Sequence, residues 1–300
     1  MTSKRSMKST GLKRIYQIFY YILCKRHFYG VTAPLRALPD FLVIGVGRGG
    51  TTSCFHYLSQ HPSIIGSAYD EIGFFDENFH LGLNWYRSMF PTKSLKKKTA
   101  KKFGKCLTYD VTPSYIWKPW AARRIKELFP GIKLIAILRN PVDKTYSHYH
   151  HSIRSNEEKL TFEEAVMRDM KTFSDLVNSD SKINDDYFKN QIKNSYLGRG
   201  FYAQQLETWF ELFDRKQILI LTSEELSTET NKTMNKIFQF LGLPDYNISD
   251  TIIHVHTFNK VLSSSVIKLA IEKSFKVVFT AHDYFLACPN GGFYNYQSSS

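Results

Sequence analysis

Short apolar runs alternate with helix-spaced segments along most of the chain. The runs are residues 40–46 (DFLVIGV), 106–110, 133–138 (KLIAIL) and 217–221 (QILIL). Their near-continuous aliphatic character is that of strands buried on both faces, as in a parallel sheet. Residues 51–60 place Phe55 and Leu58 at helical spacing and stop before His61-Pro62, because a residue ahead of proline is driven out of the helical region. Residues 121–129 predict a second helix, ended by Pro130-Gly131. Thr161-Phe162-Glu163-Glu164 is a capping box that opens a third. Residues 202–213 are amphipathic, and 231–241 form a helix closed by Gly242 and Pro244. Residues 171–195 are polar and patternless, which predicts a surface excursion. There is no internal repeat. Strands alternating with helices predict an α/β fold with right-handed crossovers.

Composition adds a core and excludes several classes. The 300 residues are 43% hydrophobic and 15% aromatic, enough apolar surface to offset ordering entropy. The four cysteines (24, 54, 106 and 288) form no CxxC and no Cys/His cluster, which argues against structural zinc and a disulfide scaffold. The net charge of +13 is confined to two places. Residues 1–38 carry eight basic side chains and no acid, and residues 93–105 carry seven lysines and no acid, so the remainder is close to neutral. Two local patches are expected to meet an anionic partner or to be a tail and a solvated loop; they do not make a nucleic-acid protein.

No stretch reaches the ~20 apolar residues a bilayer span needs. Residues 15–24 (IYQIFYYILC) lie between Lys13-Arg14 and Lys25-Arg26. They fit an aromatic interfacial helix on anionic lipid or a core helix, and lack a signal-peptide cleavage site. The expected setting is cytoplasmic with peripheral membrane contact through 12–30. The alternative is a Golgi lumen with a degenerate anchor.

The chemistry concentrates at Gly45-Val46-Gly47-Arg48-Gly49-Gly50-Thr51-Thr52-Ser53, a glycine-rich turn between strand and helix. Such a turn aims backbone N–H groups and a helix N-terminus at one spot, which makes an anion site. Gly45 and Gly50 have the spacing of a nucleotide-triphosphate P-loop, yet Thr51 holds the lysine position and the basic side chain is Arg48. The strand at 133–138 runs into Arg139, where a kinase would want a Mg²⁺ carboxylate. These residues suit a nucleotide with an additional phosphate, bound without metal.

With these residues in view, the chain resembles the sulfotransferases that use 3′-phosphoadenylyl sulfate (PAPS), most of all the carbohydrate group with the heparan-sulfate N- and 3-O-sulfotransferases. The likeness covers roughly residues 39–248. The turn from Gly45 to Ser53 matches the family's 5′-phosphosulfate loop, with Arg48 where lysine is usual. Leu138-Arg139-Asn140-Pro141 through Ser147 matches its 3′-phosphate motif, which implies that Arg139 and Ser147 bind that phosphate. Glu71-Ile72-Gly73-Phe74-Phe75 and Gly82-Leu83-Asn84-Trp85-Tyr86 resemble the segment that supplies the catalytic Glu, which implies Glu71. Thr112-Pro113-Ser114-Tyr115 and residues 200–209 also match.

The resemblance implies a P-loop-type parallel sheet flanked by helices and a PAPS-dependent enzyme with no metal cofactor. Its acceptor would be a carbohydrate, either an anionic polysaccharide or an oligosaccharide. Glu71 and Arg48 would be catalytic. Arg48, Gly49, Gly50, Thr51, Thr52, Ser53, Arg139 and Ser147 would bind the nucleotide. The family usually has Lys at Asp70 and often His at Gly73; a second carboxylate close to the base would raise its pKa. His148, His150 and His151 suggest a metal cluster by type, but their place on an aromatic helix after Ser147 favours packing. The lysine run 93–105 is expected on the acceptor side of the sheet's carboxyl edge, steering an anionic glycan.

Residues 251–256, a helical 263–273 and 276–280 read as one further strand–helix–strand unit. Their sequence, with 279–291 as the nearest match, resembles the first Rossmann domain of a two-domain retaining glycosyltransferase. The expected division is therefore a basic aromatic segment (1–38), a sulfotransferase domain (39–249) and a truncated remnant (250–300) that displaces the family's C-terminal phosphate loop. Two rival readings are a catalytically inactive sulfotransferase-like binding protein and a P-loop kinase.

Overall fold

The computed structural model describes residues 30–177, 195–248, 252–255 and 276–279. Five parallel strands, β1 (Phe41–Gly45), β2 (Ile64–Gly66), β3 (Leu107–Val111), β4 (Lys133–Leu138) and β5 (Ile218–Thr222), form one sheet in the order β2-β3-β1-β4-β5. Every residue of β1 and β3 is buried; β1 reads as an unbroken apolar run, while β3 buries the polar Thr108 and Asp110 as well. The helices around the sheet are α1 (Thr51–Leu58), α2 (Leu83–Arg87), α3 (Lys93–Phe103), α4 (Pro119–Leu128), α5 (Pro141–Arg154), α6 (Phe162–Val177), α7 (Tyr202–Leu212), α8 (Ser223–Thr228) and α9 (Thr230–Leu241). On one face α4 packs against α7, and the fully buried Trp209 of α7 donates its indole N–H to Ile116 O at 2.9 Å.

Most predicted elements are present with ends moved by a residue or two. The capping box forms at α6, where Glu164 N–H reaches Thr161 Oγ1 at 3.3 Å and Glu164 Oε2 accepts Thr161 N–H at 2.8 Å. Four of the named elements were missed: the three-residue β2, the five-residue α2, α3 and the six-residue α8. The predicted excursion at 171–195 begins inside α6, and its remainder lies outside the described residues. So do residues 1–29 and the predicted helix at 263–273.

The chain divides into two compact units, Met1–Tyr246 and Asn247–Ser300. In the second, β6 (Ile252–Val255) and β7 (Lys276–Phe279) pair in parallel.

The lysine run corrects the expectation for it. It is a helix, not a loop: Thr92 caps it by accepting Leu95 N–H at 3.2 Å, and lysine is a good helix former. It also sits at the opposite edge of the sheet from that expected. Lys96 Nζ lies 2.5 Å from Asp40, the residue that enters β1, and Asp40 also accepts Thr108 N–H at 2.6 Å. Lys105 Nζ donates to Leu241 O at 2.8 Å, and Lys133, which opens β4, donates to Phe240 O. Both lysines neutralise the carbonyl end of α9. The run is thus attached to the amino edge, a strand length from any acceptor at the carboxyl edge.

Asp40→Ala should cost about 1–3 kcal/mol, because it strands the Thr108 N–H and frees Lys96, while the Thr108 hydroxyl keeps Leu38 O as its acceptor. Chemical denaturation checks the loss. Nucleotide affinity should be unchanged, since the substitution lies at the far edge.

Candidate active site

In open parallel sheets ligands bind at the carboxyl ends of the strands, where the strand order reverses. Here the chain turns to opposite sides of β1, so the crevice lies over the ends of β1 and β4. The glycine-rich turn fills that place. Val46 N–H donates to Ile137 O at 2.9 Å, Gly49 N–H turns back to Val46 O at 2.9 Å, and Gly50 (φ 88°) leads into α1. A Cβ on Gly49 would come within 2.6 Å of Ile137 O, so only glycine lets the turn lie this close to β4. The early N–H groups of α1, from Thr51, Thr52 and Ser53, have no helical partner and face the same crevice.

Side chains complete the positive surface. Arg139 follows β4 and donates to Arg48 O at 3.0 Å, and Arg48 Nε donates to Ser147 Oγ on α5 at 3.2 Å. Burial, then Arg154, then Arg139 pull the Arg48 pKa below its ordinary value, and Glu71 opposes them. Guanidiniums 48, 139 and 154 therefore converge, and Glu71 is the acid that acts on Arg48. All nine residues singled out from the sequence are gathered at this edge.

Glu71 is exposed and held by its backbone. Its N–H continues the β3 ladder to Val111 O at 2.9 Å. Among the described non-glycine residues, positive φ occurs at Arg48 (69°), Glu71 (57°) and Asn156 (56°), so the candidate catalytic pair supplies two of the three. Such strained backbone persists only where its surroundings hold it.

Behind Glu71 the support is a buried carboxylate. Asp110 of β3 accepts hydrogen bonds from Thr112 Oγ1 (2.9 Å), Tyr86 OH (3.0 Å) and Tyr115 OH (3.1 Å). Tyr115 OH in turn accepts Phe74 N–H at 2.9 Å, and Thr112 Oγ1 accepts Gly73 N–H at 3.3 Å. Burial raises the Asp110 pKa to about 6 against those three donors. Asp76 is anchored beside it by Lys118 at 2.7 Å and Ser114 at 2.6 Å.

Sequence reasoning placed the carboxylate conflict on Glu71. In the structure the raised pKa is that of Asp70, pushed to about 7 by burial, then Glu71, then Asp110. Asp70 Oδ1 is buried with no hydrogen-bond partner. Of the neighbouring pair, the less solvated acid carries the cost.

The histidines do not form a metal site; among the described residues no group of three or more His, Cys, Asp and Glu is placed to hold one. His148 is pushed down to about 2 by burial, Arg199, Lys144, His151 and Arg48, so it is neutral and too weak a base for the reaction. Arg154 and Arg199 were missed. Arg154 was detectable, since α5 spacing sets it two turns from Ser147 on the same face. Arg199, stacked 4.6 Å from the centre of the Trp117 ring, is brought in only by the tertiary fold.

A parallel sheet of this order with a glycine-rich turn and converging arginines at its carboxyl edge defines an α/β domain with an anion-binding crevice. The family is fixed by comparison: the model of the sulfotransferase domain matches residues 38–279, and the chain belongs to that family. The human bifunctional heparan sulfate N-deacetylase/N-sulfotransferase 3 is 31% identical over 226 residues, 72% of this chain and 24% of its own length. The bovine bifunctional enzyme 2 is 32% identical over 225 residues, covering 72% of this chain and 23% of its own length. The chain thus spans about a quarter of the curated relatives it matches. A sulfotransferase structure from Alicyclobacillus acidocaldarius superposes with a TM-score of 0.52 at 22% identity, over 79% of this chain and 92% of that one, and shares the fold.

Asp70 gives the site a pH signature. Its folded pKa, about 7, lies above the ordinary 3.8, so the folded state holds the proton more tightly. The stability this contributes is complete below about pH 4 and is lost as pH rises through about 7. Asp70→Asn should therefore melt above the wild type at about pH 8 and alongside it at about pH 4. An equal gap at both values would show that another group titrates.

Proposed function

We propose that the chain transfers a sulfuryl group from PAPS to a hydroxyl or amine of a carbohydrate acceptor. The observation that carries this reading is the convergence of Arg48, Arg139, Ser147 and the first turn of α1 on one crevice, with Glu71 opposite. The donors at that place are guanidiniums, hydroxyls and N–H groups, a set that holds phosphate and sulfate oxygens directly. Gly49, Gly50, Thr51, Thr52 and Ser53 would cradle the 5′-phosphosulfate, and Arg139 with Ser147 would take the 3′-phosphate. The acceptor class rests on the relatives, which are named for heparan sulfate N-sulfation.

The reaction is an in-line displacement at sulfur. The acceptor oxygen or nitrogen forms a bond to sulfur as the bond from sulfur to the bridging 5′-phosphate oxygen breaks. The acceptor's proton passes to the Glu71 carboxylate, and 3′-phosphoadenosine 5′-phosphate leaves. Charge that grows on the bridging oxygen is met by Arg48 and the turn N–H groups, which are already oriented. Arg48 remains protonated, so it stabilises that charge without donating a proton, where a lysine can do both.

Titration calorimetry tests the donor. Without added Mg²⁺, 3′-phosphoadenosine 5′-phosphate should bind, and Arg139→Ala should weaken it by ~1.5–3 kcal/mol, the scale of a hydrogen bond to a charged group. Adenosine 5′-phosphosulfate, which lacks the 3′-phosphate, should lose far less; equal losses would remove Arg139 from the site.

Turnover tests the base. Glu71→Gln should leave nucleotide affinity nearly intact and slow turnover ~10²–10⁴-fold, the usual range for loss of a general base. Near-normal turnover would place the base elsewhere.

A further inference from the structure

The α3 helix carries a charge that the proposed reaction does not use. Its inner face is Lys96, Thr99, Ala100 and Phe103, at helical spacing. Its outer face presents Lys93, Lys97, Lys98, Lys101 and Lys102, all exposed, and the helix contains no acid. No ion pair to these five is found among the described residues, while Lys96 is bound to Asp40. Charge alone would be a solvated face. What sets this one apart is exposed apolar surface beside the lysines: Leu95 is 46% exposed, on the edge it shares with Lys98 and Lys102.

The chain entering β1 arrives at the same place. Arg36 bridges to Thr92 and donates to Phe90 O at 2.8 Å, and Ala37 N–H donates to Pro91 O at 2.9 Å, just ahead of α3. Just before that contact, Val31 (81%) and Leu35 (66%) are the two most exposed large apolar residues at this edge. The sequence before them supplies seven of the eight basic residues of 1–38 and the aromatic run 15–24.

We propose that this amino-edge face, α3 together with the Val31–Leu35 approach, docks on an anionic lipid bilayer. A bilayer interface takes apolar side chains into its boundary while lysines remain in the headgroup layer, which is the mixture exposed here. A helix face is convex and offers no groove for a glycan chain. Lysine, a hydrated point charge without a planar fork, suits a diffuse anionic surface better than a defined phosphate. Strands of about five residues, roughly 17 Å long, separate this edge from the crevice, so a docked molecule keeps its nucleotide site open to solvent. No helix among the described residues is long and apolar enough to cross a membrane.

The test uses the full chain and extruded phosphatidylcholine vesicles with and without phosphatidylserine. Wild type should sediment with the anionic vesicles only, and salt should release it. Replacing Lys97, Lys98, Lys101 and Lys102 together by Gln should lower the partition coefficient ~10²–10³-fold at low salt, from about 1 kcal/mol per lysine. The melting temperature and nucleotide affinity should be unchanged; should melting fall, the single exposed change Lys101→Glu supplies the same readout. Leu95→Ser with Leu35→Ser should weaken vesicle binding and leave retention on soluble heparin unaltered. Undiminished sedimentation of the lysine variant would overturn the proposal. So would wild type that does not prefer anionic vesicles, or serine variants that bind vesicles as wild type does, which would mark a soluble polyanion as the partner.

Discussion

The carbonyl oxygen of Ile137 sets the position of everything else in the crevice. It accepts Val46 N–H, and it occupies the space a side chain on Gly49 would need. The turn is thus pressed against β4, and two residues later Arg139 returns a second bond to Arg48 O. With the turn held at both places, Arg48 projects toward α5 and the open first turn of α1 points into the crevice. The positive charge is assembled on a turn held by one backbone contact and by the Arg139 guanidinium itself. That is a cheap way to hold several like charges together, because the repulsion between Arg48, Arg139 and Arg154 is resisted by strand pairing.

The acidic side is built on the opposite plan. Glu71 stays solvated and takes its place from the β3 ladder, while the carboxylates behind it are buried and pay in proton affinity. Asp110 offsets its burial with three hydroxyl donors and holds near 6; Asp70 has a buried oxygen without a partner and rises to about 7. Around neutrality the segment therefore holds a fractional charge near Glu71, set by Asp70. The hydroxyls that quiet Asp110 also receive the N–H groups of Gly73 and Phe74, so one network fixes both the charge and the path of the chain after Glu71.

Much of this was legible in the residues. The strands β1 and β4 are buried over most of their length and β5 in part, so their aliphatic runs were legible, and the glycine spacing of the turn follows from close approach to a neighbouring strand. The site's basic side was legible for the same reason, since Arg48 and Arg139 stand at strand ends. What was not legible lacks a local signature. The β2 strand is too short to show a period. The α3 helix has almost no apolar stripe, and its edge of the sheet is set by Lys96 reaching Asp40, 56 residues away in sequence. Arg199 reaches the site only through tertiary contacts. The partition of proton affinity between Asp70 and Glu71 depends on which of two adjacent acids is buried, which adjacency alone does not say.

The two edges of the sheet use different cations, and the difference follows from what each must bind. At the carboxyl edge the cations that line the crevice are arginines, Arg48, Arg139 and Arg154, with Arg199 beside them. The lysines there, Lys118 and Lys144, are buried and bound to Asp76 at 2.7 Å and to Tyr196 O at 3.3 Å. At the amino edge the cations are mostly lysines, in α3, at Lys105 and at Lys133, with Arg36 bound to Phe90 O. The strand β4 shows the contrast within a single element, with Lys133 at its start and Arg139 just past its end. A desolvated crevice favours the guanidinium, which is weakly hydrated, keeps its charge when burial lowers its pKa, and matches a phosphate with two parallel donors. A face open to solvent gains nothing from that geometry and keeps the more strongly hydrated ammonium. The choice of cation along the chain therefore records where water is excluded, and it places the reacting anion at one end of the sheet and the diffuse one at the other.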